Sequence, residues 1–184
     1  NMETILEEFA ENVYLDRFYE DPQRYAFPLE ISFLVERYQQ LNHFFASGNL
    51  FKSGFVSDYF FDKSMVFASQ NLNQDQYHLF KRLFDMFAVQ VKFPDILLYL
   101  HRPVEQLKTQ IEYRARPFES QIPDEYLSTI EQGYSQYLKS LKDKRIIYVN
   151  LGKADFIKDD KILKAIMDLL EKDNPKQWQR IDLG

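Results

Sequence analysis

The sequence predicts an α/β protein whose parallel sheet is covered by helices, and three observations predict it. Four short runs rich in β-branched and aromatic residues stand far apart along the chain. Long stretches between them repeat apolar residues at helical spacing. Proline, glycine or aspartate marks most of the boundaries. Strands that alternate with helices cannot return by tight hairpins, so they lie parallel and need helices over both faces.

The strands are expected at residues 4–8, 55–59, 96–101 and 146–151. Leu29, Phe33, Leu34, Tyr38, Leu41 and Phe45 share one face of a helix that begins near Pro28 and stops before Gly48. Residues 75–92 repeat the pattern with Tyr77, Phe80, Leu83, Phe84 and Phe87. Pro103 opens a third helix, with Leu107 and Ile111 on its apolar stripe, and Pro123 opens a fourth that runs to about Leu141. Asp159 caps a last helix through Leu170. The segment 172–184 is polar apart from Trp178 and is expected to lie outside the core. The expected organisation is therefore one domain over residues 1–171 and a polar C-terminal tail over 172–184.

Composition narrows the function classes. A chain of 184 residues with 45% hydrophobic and 28% charged residues is an ordinary folded domain, not a disordered segment. No apolar run approaches the roughly 20 residues of a membrane span, and no basic segment followed by an apolar core opens the chain. Cysteine is absent, which leaves no disulfides or thiolate metal sites and agrees with a cytoplasmic location. A net charge of -5 argues against binding polymeric nucleic acid through its phosphates. The 17 Phe and 12 Tyr promise a large core and aromatic pocket walls.

Four segments carry groups suited to chemistry. Arg114 and Arg116 stand two apart at a helix end, before Pro117 and Glu119, and can converge on one anion such as a transferring phosphoryl group. The same letters describe a solvated helix end, where cations favour the negative pole of the dipole. Glu7 or Glu8, at the carboxyl end of the first strand, could accept a proton from a substrate hydroxyl; either also reads as a polar strand end. Glu30 and Arg37 lie seven apart on one helix face and could offer hydrogen bonds to a flat polar ligand, or simply form a surface ion pair. Ser57 and Asp58 end the second strand, where Asp58 is a candidate magnesium-associated carboxylate or a helix cap. His43, His78 and His101 show no spacing that suggests a metal site or triad.

Taken in order, these segments resemble the deoxynucleoside kinase family. The resemblance rests on the strand-end glutamate followed by Asn12-Val13-Tyr14-Leu15, and on Tyr19-Glu20-Asp21-Pro22 leading to Ala26-Phe27-Pro28-Leu29. It rests also on Arg114-Ala115-Arg116 with Glu119, Ile122-Pro123 and Tyr126-Leu127, and on the strand Pro94-Asp95-Ile96-Leu97-Leu98-Tyr99-Leu100 before them. It spans roughly Leu6 to Leu170. The resemblance implies a P-loop kinase-like three-layer fold, a parallel sheet flanked by helices. It implies transfer of the γ-phosphoryl of ATP to the 5′-hydroxyl of a deoxynucleoside, with Mg2+, in a cytoplasmic homodimer serving nucleotide salvage.

By position the resemblance makes Glu7 the general base, and Tyr19 with Glu119 the pair that holds the sugar 3′-hydroxyl. It puts Phe67 against the face of the base, and Glu30 and Arg37 at the base edge. Arg114 and Arg116 become lid arginines over the phosphates, and Asp155 and Phe156 part of the loop beside the donor's adenine, while Asp58 falls at the place of either the family's acid or its arginine. Two departures stand out. Ser57-Asp58-Tyr59 replaces the family's frequent acid-Arg-Ser, and Glu30 stands where glutamine is frequent. An ionised Glu30 could only accept hydrogen bonds, which inclines the expected substrate toward purines with matching donors, or cytosine.

No GxxxxGK[ST] loop occurs in the sequence. The family's first, central strand with its P-loop and helix, about 25 residues, is thus expected upstream of a fragment, the remaining strands are expected to divide around a gap, and the fragment alone is not expected to hold triphosphate well. Two other readings stay open: a thymidylate-type nucleoside monophosphate kinase, and a kinase-derived module that binds nucleoside or a partner without catalysis.

Overall fold

The computed structural model describes residues 2–8, 12–46, 54–116, 119, 122–171 and 178–184. The chain divides into two compact units, residues 1–93 and 94–184, and each is built around its own parallel sheet.

In the first unit, strand β1 (Met2–Ile5) pairs with β2 (Gly54–Ser57), Ile5 lying opposite Ser57. Both strands are shorter than expected and end before their acids, so Glu7 and Asp58 sit just beyond the carboxyl ends. A short helix that the apolar pattern did not reveal, α1 (Leu15–Glu20), buries Phe18 against α2 (Pro22–Ala46). Helix α2 begins six residues before Pro28. Asp21 accepts from the backbone N–H of Arg24 at 3.3 Å and Pro22 fills the first position, where its missing N–H costs nothing. Pro28 lies inside the helix, and the expectation that it opens the helix is corrected by this earlier cap. Leu29, Leu34 and Leu41 are buried from this helix, together with Glu30 and Arg37.

Helix α3 (Lys63–Asn71) follows β2 after one turn and was not foreseen either; its buried face is Ser64, Met65, Val66 and Ala68. Helix α4 (Gln74–Ala88) starts one residue early and stops four residues short of the expected end. Asn73 and Gln76 form a reciprocal capping box that fixes its start. Phe80 and Phe84 face inward from α4, and the Phe84 ring stacks on Phe61 at 5.0 Å.

In the second unit the sheet order is β3 (Leu97–His101), β4 (Ile146–Asn150), β5 (Trp178–Asp182), all parallel. The third strand corrects the expectation of an external polar tail: residues 178–182 carry a backbone ladder to β4 even though their side chains alternate between exposed and half-buried. An edge strand needs backbone pairing more than a buried face, so composition did not betray it. Helices α5 (Val104–Arg114) and α6 (Asp124–Ser140) start after Pro103 and Pro123, each of which sits at the cap position. Helix α7 (Asp160–Glu171) is capped by Asp159, whose carboxylate accepts from the N–H of Lys161 at 2.9 Å. Its Ile166 closes a core with Ile147, Val149 and Leu151.

Among the described residues no helix is long and apolar enough to cross a membrane.

Candidate active site

The carboxyl ends of β1 and β2 bring two acids together. The Glu7 N–H donates to Asp58 Oδ1 at 2.8 Å, and the Asp58 N–H continues the ladder to the Ile5 carbonyl at 3.2 Å. This fixes the direction in which Glu7 leaves the strand. Its side chain is half-buried while that of Glu8 is exposed.

Two cations grip the Glu7 carboxylate. Arg37, on α2, places Nε 2.7 Å from Oε1, and Lys63, the first residue of α3, places Nζ 2.5 Å from Oε2. Arg37 is 4% exposed, donates also to Ser64 Oγ at 2.7 Å, and lies 4.9 Å from the centre of the Phe33 ring. Burial alone would raise the Glu7 carboxyl, but the charges of Arg37 and Lys63 and their hydrogen bonds outweigh it, and Glu7 is held below the ordinary carboxylate range. Burial pushes the Lys63 ammonium down, and Arg37 adds to this, while Glu7 supports its charge. Around the cluster, Gln40 donates to the Leu6 carbonyl at 2.8 Å and accepts from the Tyr59 hydroxyl at 2.5 Å. A shallow, open depression is lined by Glu7, Glu8, Phe33, Glu36, Arg37 and Gln40.

Glu30 and Arg37 do not form the surface ion pair that spacing allowed. Both are buried, and they take different partners: Asn71 Nδ2 donates to Glu30 Oε1 at 2.7 Å. Glu30 Oε2 is buried without a hydrogen bond. Burial pushes the Glu30 carboxyl up to about 7, the Asn71 hydrogen bond and the Arg37 and Lys63 charges pulling the other way. Near neutral pH it is therefore divided between a neutral acid, which both donates and accepts, and a carboxylate.

Tyr19 lies on α1 edge-on to Phe18 at 5.3 Å, and the Lys63 ammonium stands 5.6 Å from the centre of the Phe67 ring. Asp58 keeps its side chain at the surface with one oxygen committed to the Glu7 N–H. Among the described residues no group of three or more metal-ligating side chains forms a cage.

The second unit gathers the other candidates. Glu119, only 8% exposed, meets Arg116 Nη1 at 3.2 Å through Oε1, and Arg114 Nη2 lies 3.1 Å from Oε2 without the alignment of a hydrogen bond. Ala115, between the two arginines, ends α5 in the left-handed region with φ 51. Asp155 accepts from the N–H of Ile157 at 3.0 Å and pairs with Lys158 at 3.2 Å, and Phe156 packs on the sheet core. Arg102 steadies this loop with hydrogen bonds to the carbonyls of Gly152 and Ala154.

Sequence reasoning missed Lys63, Ser64 and Asn71. Their letters follow the Asp58 segment directly, but nothing local revealed that a helix begins at Lys63 and aims it at Glu7. His101 also acquires a setting that its lack of motif concealed. Its Nε2 lies 2.5 Å from Glu131 and its Nδ1 3.1 Å from Asn150, at the last rung of the sheet.

The sequence matches the family described as deoxynucleoside kinase over residues 1–173. It is 31% identical over 153 residues to deoxyguanosine kinase of Bacillus subtilis, covering 80% of this chain and 73% of that one. It is 28% identical over 185 residues to deoxyadenosine/deoxycytidine kinase of the same organism, covering 95% and 83%. Among solved structures, deoxyadenosine kinase from M. mycoides with bound dATP superposes with a TM-score of 0.76 at 21% identity, over 93% of this chain and 87% of that one. The same enzyme with bound dCTP gives 0.75 at 22% identity, over 92% and 85%. At these identities the structures attest the fold, which is the P-loop kinase-like arrangement.

Proposed function

The chain belongs to the deoxynucleoside kinase family, and we propose that it transfers the γ-phosphoryl of ATP to the 5′-hydroxyl of a purine deoxynucleoside with Glu7 as the group that receives the hydroxyl. One observation carries the assignment to Glu7: it is a doubly clamped carboxylate at the carboxyl ends of two neighbouring parallel strands, where open α/β sheets receive ligands. The names of the relatives, deoxyguanosine kinase and deoxyadenosine/deoxycytidine kinase, support a purine substrate.

In this reading the 5′-hydroxyl donates to Glu7, which stays ionised at neutral pH because of its two cations. Each carboxylate oxygen has acceptor capacity left beyond its cation. As the new O–P bond forms and the bond from the γ-phosphorus to the bridging oxygen breaks, the hydroxyl proton passes to Glu7 and on to solvent. A loose transition state needs position and positive charge more than a strong base, so a weakly basic Glu7 suffices. Phe67 would lie on the base and Glu30 and Arg37 at its edge. Tyr19 and Glu119 would hold the 3′-hydroxyl, and Arg114 and Arg116 would leave Glu119 for the phosphates. Asp155 and Phe156 would flank the donor's adenine. Magnesium, with Asp58 as its protein ligand, would neutralise phosphate charge. The kinase domain would comprise residues 1–171, with the C-terminal segment adding β5 to its sheet. A cytoplasmic homodimer completes the proposal, and Leu79, Met86 and Val89, exposed on and just after α4, supply apolar surface for it.

The test is thermal unfolding of the chain with each of the four deoxynucleosides and, separately, their 5′-monophosphates. Binding to the folded state raises the midpoint. A rise with deoxyguanosine or deoxyadenosine is expected. A rise with monophosphates alone would replace this reading with a monophosphate kinase.

A further inference from the structure

Arg102 is a cation without an anion. It stands half-buried between β3 and α5, and among the described residues it pairs with no carboxylate. Its guanidinium donates instead to two carbonyls of one loop, Nη1 to Gly152 at 3.3 Å and Nη2 to Ala154 at 2.6 Å. Removing a charge from water without a counter-ion costs free energy, so ion pairing does not explain an arginine here. What explains it is the planar fork, which captures two acceptors at a fixed spacing where a lysine would offer a single point.

The loop that it holds runs from the carboxyl end of β4 to the start of α7. Its own hydrogen bonds are local: Ala154 N–H donates to the Leu151 carbonyl at 2.7 Å, and Ile157 N–H to Asp155 at 3.0 Å. Phe156 anchors the far side on the sheet core. Gly152, Lys153 and Ala154 have little apolar surface with which to anchor the near side, and there the end of β3 takes over. The His101 carbonyl accepts from Leu151 N–H at 2.9 Å. Asn150 Oδ1 accepts from Gly152 N–H at 3.3 Å and lies 3.1 Å from His101 Nδ1. Gly152 is thus held through both its N–H and its carbonyl, in the left-handed region with φ 49 that glycine alone adopts freely. Arg102 reaches further, to Ala154, the residue before Asp155. It also ties the loop to the root of α5, which begins two residues later and ends in Arg114.

We propose that Arg102 is a positioning residue for the phosphate donor: by holding the Gly152 and Ala154 carbonyls it fixes Asp155 and Phe156 in the arrangement that receives the base of a purine nucleoside triphosphate. This rests on the reading of residues 155–156 as the donor loop. The neighbouring strands β3 and β4 both end here, at the carboxyl edge where open α/β sheets receive ligands. Without the guanidinium the near side of the loop turns about Gly152, and the donor must order it on binding.

The experiment is calorimetric titration of the full-length protein with three probes. These are ATP, inorganic tripolyphosphate, and deoxyguanosine or deoxyadenosine, whichever protects the protein more. Arg102→Met keeps an apolar stem and removes the fork. Its affinity for ATP is expected to fall roughly tenfold. Affinities for tripolyphosphate, which has no base, and for the deoxynucleoside are expected to change by less than about twofold. In steady state the loss falls on KM for ATP and not on kcat at saturation, the pattern of lost donor binding. If Arg102→Met does not fold, Arg102→Gln, which is shorter and reaches at most one carbonyl, carries the same expectation. Asp155→Ala and Phe156→Leu change the loop itself and should weaken ATP without weakening tripolyphosphate. If they do so while a folded Arg102 variant binds ATP as the wild type does, the role of Arg102 is overturned and the donor loop stands. If neither loop variant alters ATP affinity, the donor-loop reading falls and the proposal with it. An Arg102 variant that loses tripolyphosphate or the deoxynucleoside as much as ATP also overturns the proposal, since the guanidinium would then serve the phosphates directly or the unit as a whole.

Discussion

Glu7 and Glu119 are each held by two cations, yet the cations differ in what surrounds them. Arg37 and Lys63 project from packed helices and are 4% and 22% exposed, whereas Arg114 and Arg116 flank the end of α5 and are 47% and 35% exposed. A cation in water exchanges one anion for another at small cost, because solvent compensates it during the exchange. A buried cation has no such compensation and stays with its partner. The first arrangement suits a carboxylate that must be in place before substrate arrives. The second suits the role proposed for Arg114 and Arg116, a lid that would let go of a carboxylate to meet phosphate.

The comparison is tested most severely at Glu7. Glu7→Gln in the full-length protein should lower turnover by roughly 10²- to 10⁴-fold, the usual worth of a positioned proton acceptor, with little change in nucleoside affinity. Steady-state kinetics with ATP and magnesium give the answer, and unchanged turnover would remove Glu7 from the reaction.

Next comes the contrast between arginines. Arg37→Ala takes one of its two cations from Glu7 and the buried donor from Ser64, and should cost about 3–5 kcal/mol of stability. Arg114→Ala should cost no more than about 1 kcal/mol while still damaging turnover. Urea unfolding of the two variants measures the difference, and equal losses would show that the lid cluster is structural.

Glu30 sharpens the buried side of the comparison through pH. Its folded-state value, about 7, lies above the ordinary 4.5, so between those values the native protein holds a proton that the unfolded chain releases. The stabilisation is complete below 4.5, declines as pH rises through 7, and amounts to something on the order of 3 kcal/mol. Glu30→Gln should remove that decline, so wild type and variant diverge in chemical-denaturation stability from pH 5 to pH 8. Parallel curves would mean that Glu30 is ionised in the folded protein.

The smallest effect belongs to the lid backbone. Ala115 at φ 51 carries the steric penalty of a side chain in the left-handed region. Ala115→Gly should therefore raise stability by about 0.5–1 kcal/mol, read from the denaturation midpoint, and a loss would place the strain elsewhere.

Much of the fold was legible because apolar spacing is local. The last three helices begin where Pro103, Pro123 and Asp159 place them, and the four expected strands exist within a few residues. The errors share one cause. Helix α3 has little apolar periodicity because it packs Ser64 inward, and β5 has none because its contribution is a backbone ladder. Pro28 misled because the stronger start signal, Asp21 followed by Pro22, lay earlier in the same motif.

The sequence by itself determined the alternation of strands and helices, the family motifs, and which acids and arginines deserved scrutiny, since each depends on residues near one another in the chain. The tertiary structure decided which of those groups meet. Arg37 belongs to Glu7, thirty residues away, and not to Glu30 on its own helix face. Glu7 acquires a second cation from a helix start fifty-six residues downstream. Burial pushes the Glu30 carboxyl up from its ordinary range. Charge pairing and desolvation are properties of distance in space, and distance in space is set by packing of the whole unit.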